Sequence, residues 1–191
     1  MKFRCERDPL VDAITNASRG VTNRGGSRRA LDGLALRLSG DHLQVTGTDL
    51  SLTVSVRTSV TGDRDGMVVI PSRLLTEIVK ALPSGAVTVE SDDNEVRIGS
   101  GRSKFAVRTI PAAEFPQLPE PPSGSMSLDA ATLADALRQV VAAASNDEQR
   151  PVLTGVLMAA ENDGLRLVAT DSYRLAVRDL PGVAVLADGQ S

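Results

Sequence analysis

Few residues in this chain could do covalent chemistry, and their spacing argues against it. His42 is the only histidine and Cys5 the only cysteine among 191 residues. That excludes an internal disulfide framework, the usual zinc ligand sets and most haem ligation. A Ser-His-Asp arrangement has no candidate beyond His42, which stands in the polar stretch Ser39-Gly40-Asp41-His42 and reads as a solvated turn residue. Gly99-Ser100-Gly101-Arg102-Ser103-Lys104 has the composition of a phosphate loop but lacks the Gly-Lys-Ser/Thr order. It lies between two alternating segments, so a hairpin turn is predicted there. Asp49 and Asp171 share one local context, which could suggest paired catalytic carboxylates. A carboxylate repeated in two similar segments instead predicts one structural task done twice, an Asp side chain bonding turn amides. No catalytic residue, metal or cofactor is expected.

Arginines are the remaining chemistry. Arg24, Arg28 and Arg29 flank Gly25-Gly26 in a loop, and Arg73 and Lys80 fall on one side of a later helical pattern. Two readings stay open: a solvated face, or long cationic side chains offered to phosphates without base readout. The net charge of −3 argues against coating nucleic acid with the whole surface. Its distribution is uneven, with eight Lys/Arg against four Asp/Glu in residues 1–40 and an acidic excess in the rest. Only Phe3, Phe105, Phe115 and Tyr173 are aromatic, too few for base-stacking platforms. No apolar run approaches the ~20 residues of a membrane helix, so a soluble, cytoplasmic protein is predicted.

The elements that must position these residues come in two similar sets. Residues 31–54 (LDGLALRLSGDHLQVTGTDLSLTV) align with 153–177 (LTGVLMAAENDGLRLVATDSYRLAV) at an offset of 122, with Gly33 and Asp49 meeting Gly155 and Asp171. A short strand opens each set (2–5; 125–128). An amphipathic helix follows: about 8–18 with Leu10, Ile14 and Ala17 inward, and about 130–144 with Leu133, Leu137, Val140 and Ala144 inward and Asp129 as N-cap. Two strands come next (about 33–38 and 43–47), with Glu161-Asn162-Asp163-Gly164 as the second copy's turn. Only the first set continues. Strands at 53–57 and 67–70 lead to a helix over 72–82 with Leu74, Leu75, Ile78 and Leu82 as its apolar stripe. Strands over about 86–90, 94–99 and 103–109 complete it. The pattern predicts an α+β fold with helices packed on antiparallel sheet. A proline-rich, extended linker spans 110–122. By the repeat, the second set is expected to continue for some fifty residues, so the chain reads as a fragment ending in mid-domain.

Three stretches carry a resemblance. Met1–Leu10 (MKFRCERDPL), Ser100–Pro116 (SGRSKFAVRTIPAAEFP) and Leu167–Val177 (LVATDSYRLAV) resemble the bacterial sliding clamp family, the β subunits of DNA polymerase III. The resemblance runs in register along essentially the whole chain. It implies a DNA-clamp fold of repeated domains, each with two helices on antiparallel sheets. The N-terminal domain would be 1–118 and an incomplete central domain 119–191, with the C-terminal domain absent. In that family two protomers close head-to-tail around duplex DNA, and partners such as the polymerase α subunit and the clamp loader dock through short peptides. The resemblance implies a non-catalytic processivity factor that forms a homodimer ring; a clamp-like paralog, a non-functional fragment and a carboxylate-metal enzyme are the alternatives. It assigns DNA contact to Arg24, Arg73 and a polar residue among Asn146, Asp147 and Gln149. The peptide pocket would take Arg150, Leu153, Thr170, Ser172, Tyr173, Arg174 and Leu175. Ser172-Tyr173 stands where many members have Gly-His, and Pro151-Val152 where some carry an aromatic pair. Arg102, Lys104, Phe105 and Val107 would form the edge that meets the neighbouring protomer.

Overall fold

A computed structural model describes residues 1–21, 29–92, 94–118, 128–161 and 164–182. The chain divides after Leu118 into two compact units, each with its own core.

The first unit opens with strand β1 (Lys2–Glu6) and helix α1 (Arg7–Ala17). Leu10, Ala13, Ile14 and Ala17 recur at helical spacing, and all four are buried. Asp8 in the first turn complements the helix dipole. Strands β2 (Gly33–Ser39), β3 (His42–Thr48), β4 (Thr53–Ser59), β5 (Thr61–Arg64) and β6 (Gly66–Pro71) follow, then α2 (Ser72–Ala81), β7 (Ala86–Ser91), β8 (Glu95–Ser100) and β9 (Ser103–Arg108). They form two antiparallel sheets, β5-β1-β7-β8-β9 and β4-β3-β2-β6. Alternation directs Val87, Val89, Val96 and Ile98 of one sheet and Leu34, Leu36, Leu43 and Val45 of the other into one core with both helices.

Three expectations need correction. Leu74 is 42% exposed: the stripe of α2 is Leu75, Ile78, Val79 and Leu82, and Leu74 lies about 100° round the helix from Leu75. Strand β5 carries no sequence signal, because Thr-Gly-Asp-Arg has no apolar alternation. It pairs with β1 at the sheet's edge, helped by the Asp41 carboxylate accepting from the Gly62 amide at 3.0 Å. The start of the expected linker is fastened rather than free. Ile110 donates its amide to the Val69 carbonyl (2.8 Å), Ala112–Glu114 forms a 3-10 turn, and Phe115 is buried against Ala35 and Val69. The rest of that linker, from residue 119, lies outside the described residues.

The second unit holds α3 (Ala130–Val140), 3-10 turns at Val141–Ala143 and Pro151–Leu153, and the antiparallel strands β10 (Leu157–Glu161), β11 (Gly164–Thr170) and β12 (Leu175–Pro181) in that order. Asp129 caps α3, its carboxylate accepting from the Thr132 amide at 2.8 Å. The α-helix is shorter than expected and tightens to 3-10 after Val140. Ala136, Val140 and Ala143 meet Leu165, Leu167, Ala169 and Leu180, while Leu133 and Leu137 are only partly buried. The strand expected over 125–128 falls largely outside the described residues, as do Asn162 and Asp163 of the expected turn. An offset of 122 carries β3 onto β11 and β4 onto β12, end to end. The 3-10 turns Ser18–Gly20 and Val141–Ala143 correspond at 123. The repeat therefore holds at the level of elements.

Candidate functional site

The two related aspartates sit in two copies of one turn. At the end of β3, the Asp49 carboxylate accepts from the amides of Ser51 (2.9 Å) and Leu52 (2.7 Å). At the end of β11, the Asp171 carboxylate accepts from the amides of Tyr173 and Arg174, both at 2.9 Å. In each turn the preceding threonine hydroxyl joins in. Thr48 accepts from the Leu50 amide and donates to the Leu52 carbonyl, and Thr170 does the same with Ser172 and Arg174. The residue after each aspartate takes a left-handed backbone, Leu50 at φ 77° and Ser172 at φ 81°. The Leu52 and Ser51 amides hold Asp49 below the ordinary carboxylate range. Those of Tyr173 and Arg174, with the Arg174 guanidinium, do so for Asp171. The structural task expected of both carboxylates is what they perform.

Around the second turn the residues grouped by the resemblance come together. Pro151–Leu153 forms a 3-10 turn with Leu153 half-buried. Arg150 lies between two anchors: its Nε donates to the Asp147 carboxylate at 2.9 Å and its guanidinium donates to the Ser172 hydroxyl at 3.3 Å. Arg174 donates from Nε to Asp171 at 3.0 Å. Beside these charges stand exposed apolar groups, Tyr173 (94% exposed), Val152 (91%) and Leu175 (66%). Exposed apolar side chains and internally paired arginines thus share the turns 150–153 and 170–175, a composition that suits a docking partner.

The other assigned residues are more scattered. Arg73 is exposed on α2, its Nε donating to Glu77 at 2.9 Å, and Lys80 follows on the same helix. Arg24 and Arg28 lie outside the described residues. Asp147 is committed to Arg150 and to the Gln149 amide, which leaves Asn146 and Gln149 exposed as the polar candidates of that loop. Strand β9 is, among the described residues, the edge of the five-stranded sheet opposite β5, with Lys104 and Phe105 exposed on it and Arg102 exposed in the turn before it. Val107 differs. It is 4% exposed and packs into the unit's own core, so only its backbone is at the edge. Gly99–Lys104 forms a hairpin, Ser100 pairing with Ser103 and Gly101 at φ 57°. His42 is exposed at the start of β3. Cys5 is half-buried, and burial pushes its thiol up to about 11, which makes it unreactive at neutral pH. Sequence reasoning missed Glu77 and Asp147 as arginine partners, although their i,i+4 and i,i+3 spacing was a signal.

Comparison with known proteins decides the family. Residues 1–119 match the family model described as DNA polymerase III beta subunit, N-terminal domain, and residues 127–189 that of the central domain. The chain belongs to the DNA polymerase III beta subunit family. The beta sliding clamp of Micrococcus luteus is 35% identical over 94% of this chain and 58% of its own length. Among solved structures of the family, the DNA polymerase sliding clamp from Bacillus subtilis matches at a TM-score of 0.91 and 31% identity, over 99% of this chain and 52% of its own. A Bartonella birtlesii sliding clamp bound to griselimycin matches at 0.89 and 28%, over 96% and 50%. The chain spans about half the length of the curated relatives it matches. Within the family, its fold is the clamp's α+β arrangement of antiparallel sheets and a few helices.

Proposed function

We propose that this protein is a DNA sliding clamp: a non-catalytic processivity factor that acts in the cytoplasm, closes as a homodimer ring around duplex DNA and tethers the replicative polymerase and other partners. The observation that carries this reading is the match of both units, in order, to the N-terminal and central domains of one family. The first unit is then the N-terminal domain and the second belongs to the central one. No helix among the described residues is long and apolar enough to cross a membrane, which suits the reading. Arg73 on α2, with Arg24 and Gln149, contacts phosphates without reading bases. The edge strand β9 meets the neighbouring protomer through its backbone and through Arg102, Lys104 and Phe105.

Partner peptides dock at Arg150, Leu153, Thr170, Ser172, Tyr173, Arg174 and Leu175. A related clamp is described as bound to griselimycin, which supports a binding pocket in the family. Leucine and phenylalanine anchors suit the exposed apolar surface, each worth about 1.5–3 kcal/mol when fully buried. Fluorescence anisotropy with a labelled peptide of that kind tests the pocket. Leu153→Ala and Leu175→Ala should each weaken binding severalfold or more, and unchanged affinity in both would place the pocket elsewhere. For DNA, Arg73→Ala should weaken retention alike on every sequence and lower its salt dependence.

A further inference from the structure

The loop 145–150 and the turn 170–174 are joined by a chain of side-chain bonds whose origin is Asp147. Its Oδ1 accepts from the Gln149 amide at 3.0 Å and its Oδ2 from Arg150 Nε at 2.9 Å. Its own amide donates to the Ser145 hydroxyl, and its carbonyl accepts from the Arg150 amide. Asp147 is therefore held on both sides, and it fixes Arg150 in one direction. That direction ends on the Ser172 hydroxyl, on the residue whose left-handed backbone shapes the turn. Glycine adopts this backbone without strain and serine does not, so a serine there gains from an outside anchor.

The same pairing settles charge. Two arginines stand on the rim, and each faces its own carboxylate, Arg150 with Asp147 and Arg174 with Asp171. Both aspartates are held below the ordinary carboxylate range, Asp147 chiefly by the Arg150 guanidinium and then by the Gln149 amide. Resting on the peptide-pocket reading above, we propose that Asp147 is a positioning residue of that pocket: it sets Arg150 against the Ser172 turn and, with Asp171 on Arg174, leaves neither rim arginine as an unpaired cation. The pocket then selects peptides by their apolar anchors and is nearly blind to the charge flanking them.

The test is an NMR titration of this chain, taken to millimolar peptide and followed at the amides of Arg150, Leu153 and Tyr173. Two peptides share leucine and phenylalanine anchors and differ only in flanking glutamates or flanking lysines. The wild-type protein should bind both within about twofold. Asp147→Asn frees the Arg150 charge and should shift the preference toward the glutamate peptide by about two- to fivefold, the range of an exposed ion pair. Arg150→Gln frees the Asp147 carboxylate and should shift it toward the lysine peptide. Asp147→Asn combined with Arg150→Gln should restore parity. Opposite shifts from the two single variants are an outcome that general loosening of the loop does not produce. Preferences unmoved in both single variants would overturn the proposal while leaving the pocket standing. If neither peptide perturbs the wild-type amides, the pocket reading falls and takes the proposal with it.

Discussion

The turns at Thr48-Asp49 and Thr170-Asp171 share every backbone bond and differ in almost everything else. In the first, the carboxylate and hydroxyl hold Leu50, Ser51 and Leu52, with both leucines about half exposed. In the second, the same frame presents Ser172, Tyr173 and Arg174 and takes a second arginine from a loop 22 residues away. One turn frame thus carries two unlike sets of exposed side chains, leucines in the first unit and an aromatic ring with two paired arginines in the second. The helices show a second contrast. Gly20 and Gly47 let the end of α1 lie against β3, where a Cβ on Gly47 would stand 2.3 Å from the Ala17 carbonyl oxygen. The equivalent positions in the second unit are Ala143 and Ala169, both buried. The first unit is the tighter of the two at this contact.

That contrast yields the largest expected effect. Gly47→Ala forces α1 away from β3 and should destabilise the first unit by about 1–3 kcal/mol or more. Ala169→Gly should cost the second unit only about 0.5–1 kcal/mol. Hydrogen exchange at the β3 and β11 amides separates the two. A Gly47→Ala protein as stable as Ala169→Gly would abolish the distinction.

The turns themselves differ next in their response to charge. Both carboxylates have depressed folded-state values, so their stabilisation is complete above the unfolded carboxylate value of about 3.9 and fades as pH falls through the folded one. Arg174→Ala should raise the titration midpoint of Asp171 part of the way and leave that of Asp49 unmoved, as read from the carboxyl carbons by NMR. Since the turn amides are the larger cause, Asp171 should remain below the ordinary range. A midpoint that reached that range would make the guanidinium dominant and the two turns electrostatically unlike.

The smallest effect concerns the left-handed residues. Leu50→Gly relieves backbone strain at the cost of a more flexible unfolded chain, and a net gain of about 0.5 kcal/mol is expected. Ser172→Gly should gain less, because it also removes the acceptor that Arg150 uses. Chemical denaturation followed by exchange at the turn amides ranks them, and a larger gain at Ser172 would mean that the Arg150 bond contributes nothing.

The sequence announced the parts of this molecule that repeat or alternate. The offset linking Gly33 and Asp49 to Gly155 and Asp171 foretold both turns, since an Asx turn is local and needs only its own neighbours. Helix α3 and its cap were legible for the same reason. What stayed hidden depends on tertiary contact. Strand β5 has no apolar face and is defined by the strand it joins. Phe115 followed a proline-rich pattern that concealed its burial against Val69. The resemblance puts Val107 at an interface, although its side chain is turned inward on β9. The Asp147–Arg150–Ser172 chain needed a backbone angle that composition does not encode.

Tyr173 gives the molecule a natural optical reporter. The chain has no tryptophan and no other tyrosine, so its emission on excitation to the red of phenylalanine absorption comes from this one ring. At 94% exposure the ring is nearly as wet in the folded protein as in the unfolded chain. Its fluorescence is therefore almost silent to the melting of either core, and responds instead to whatever settles on the turn that carries it.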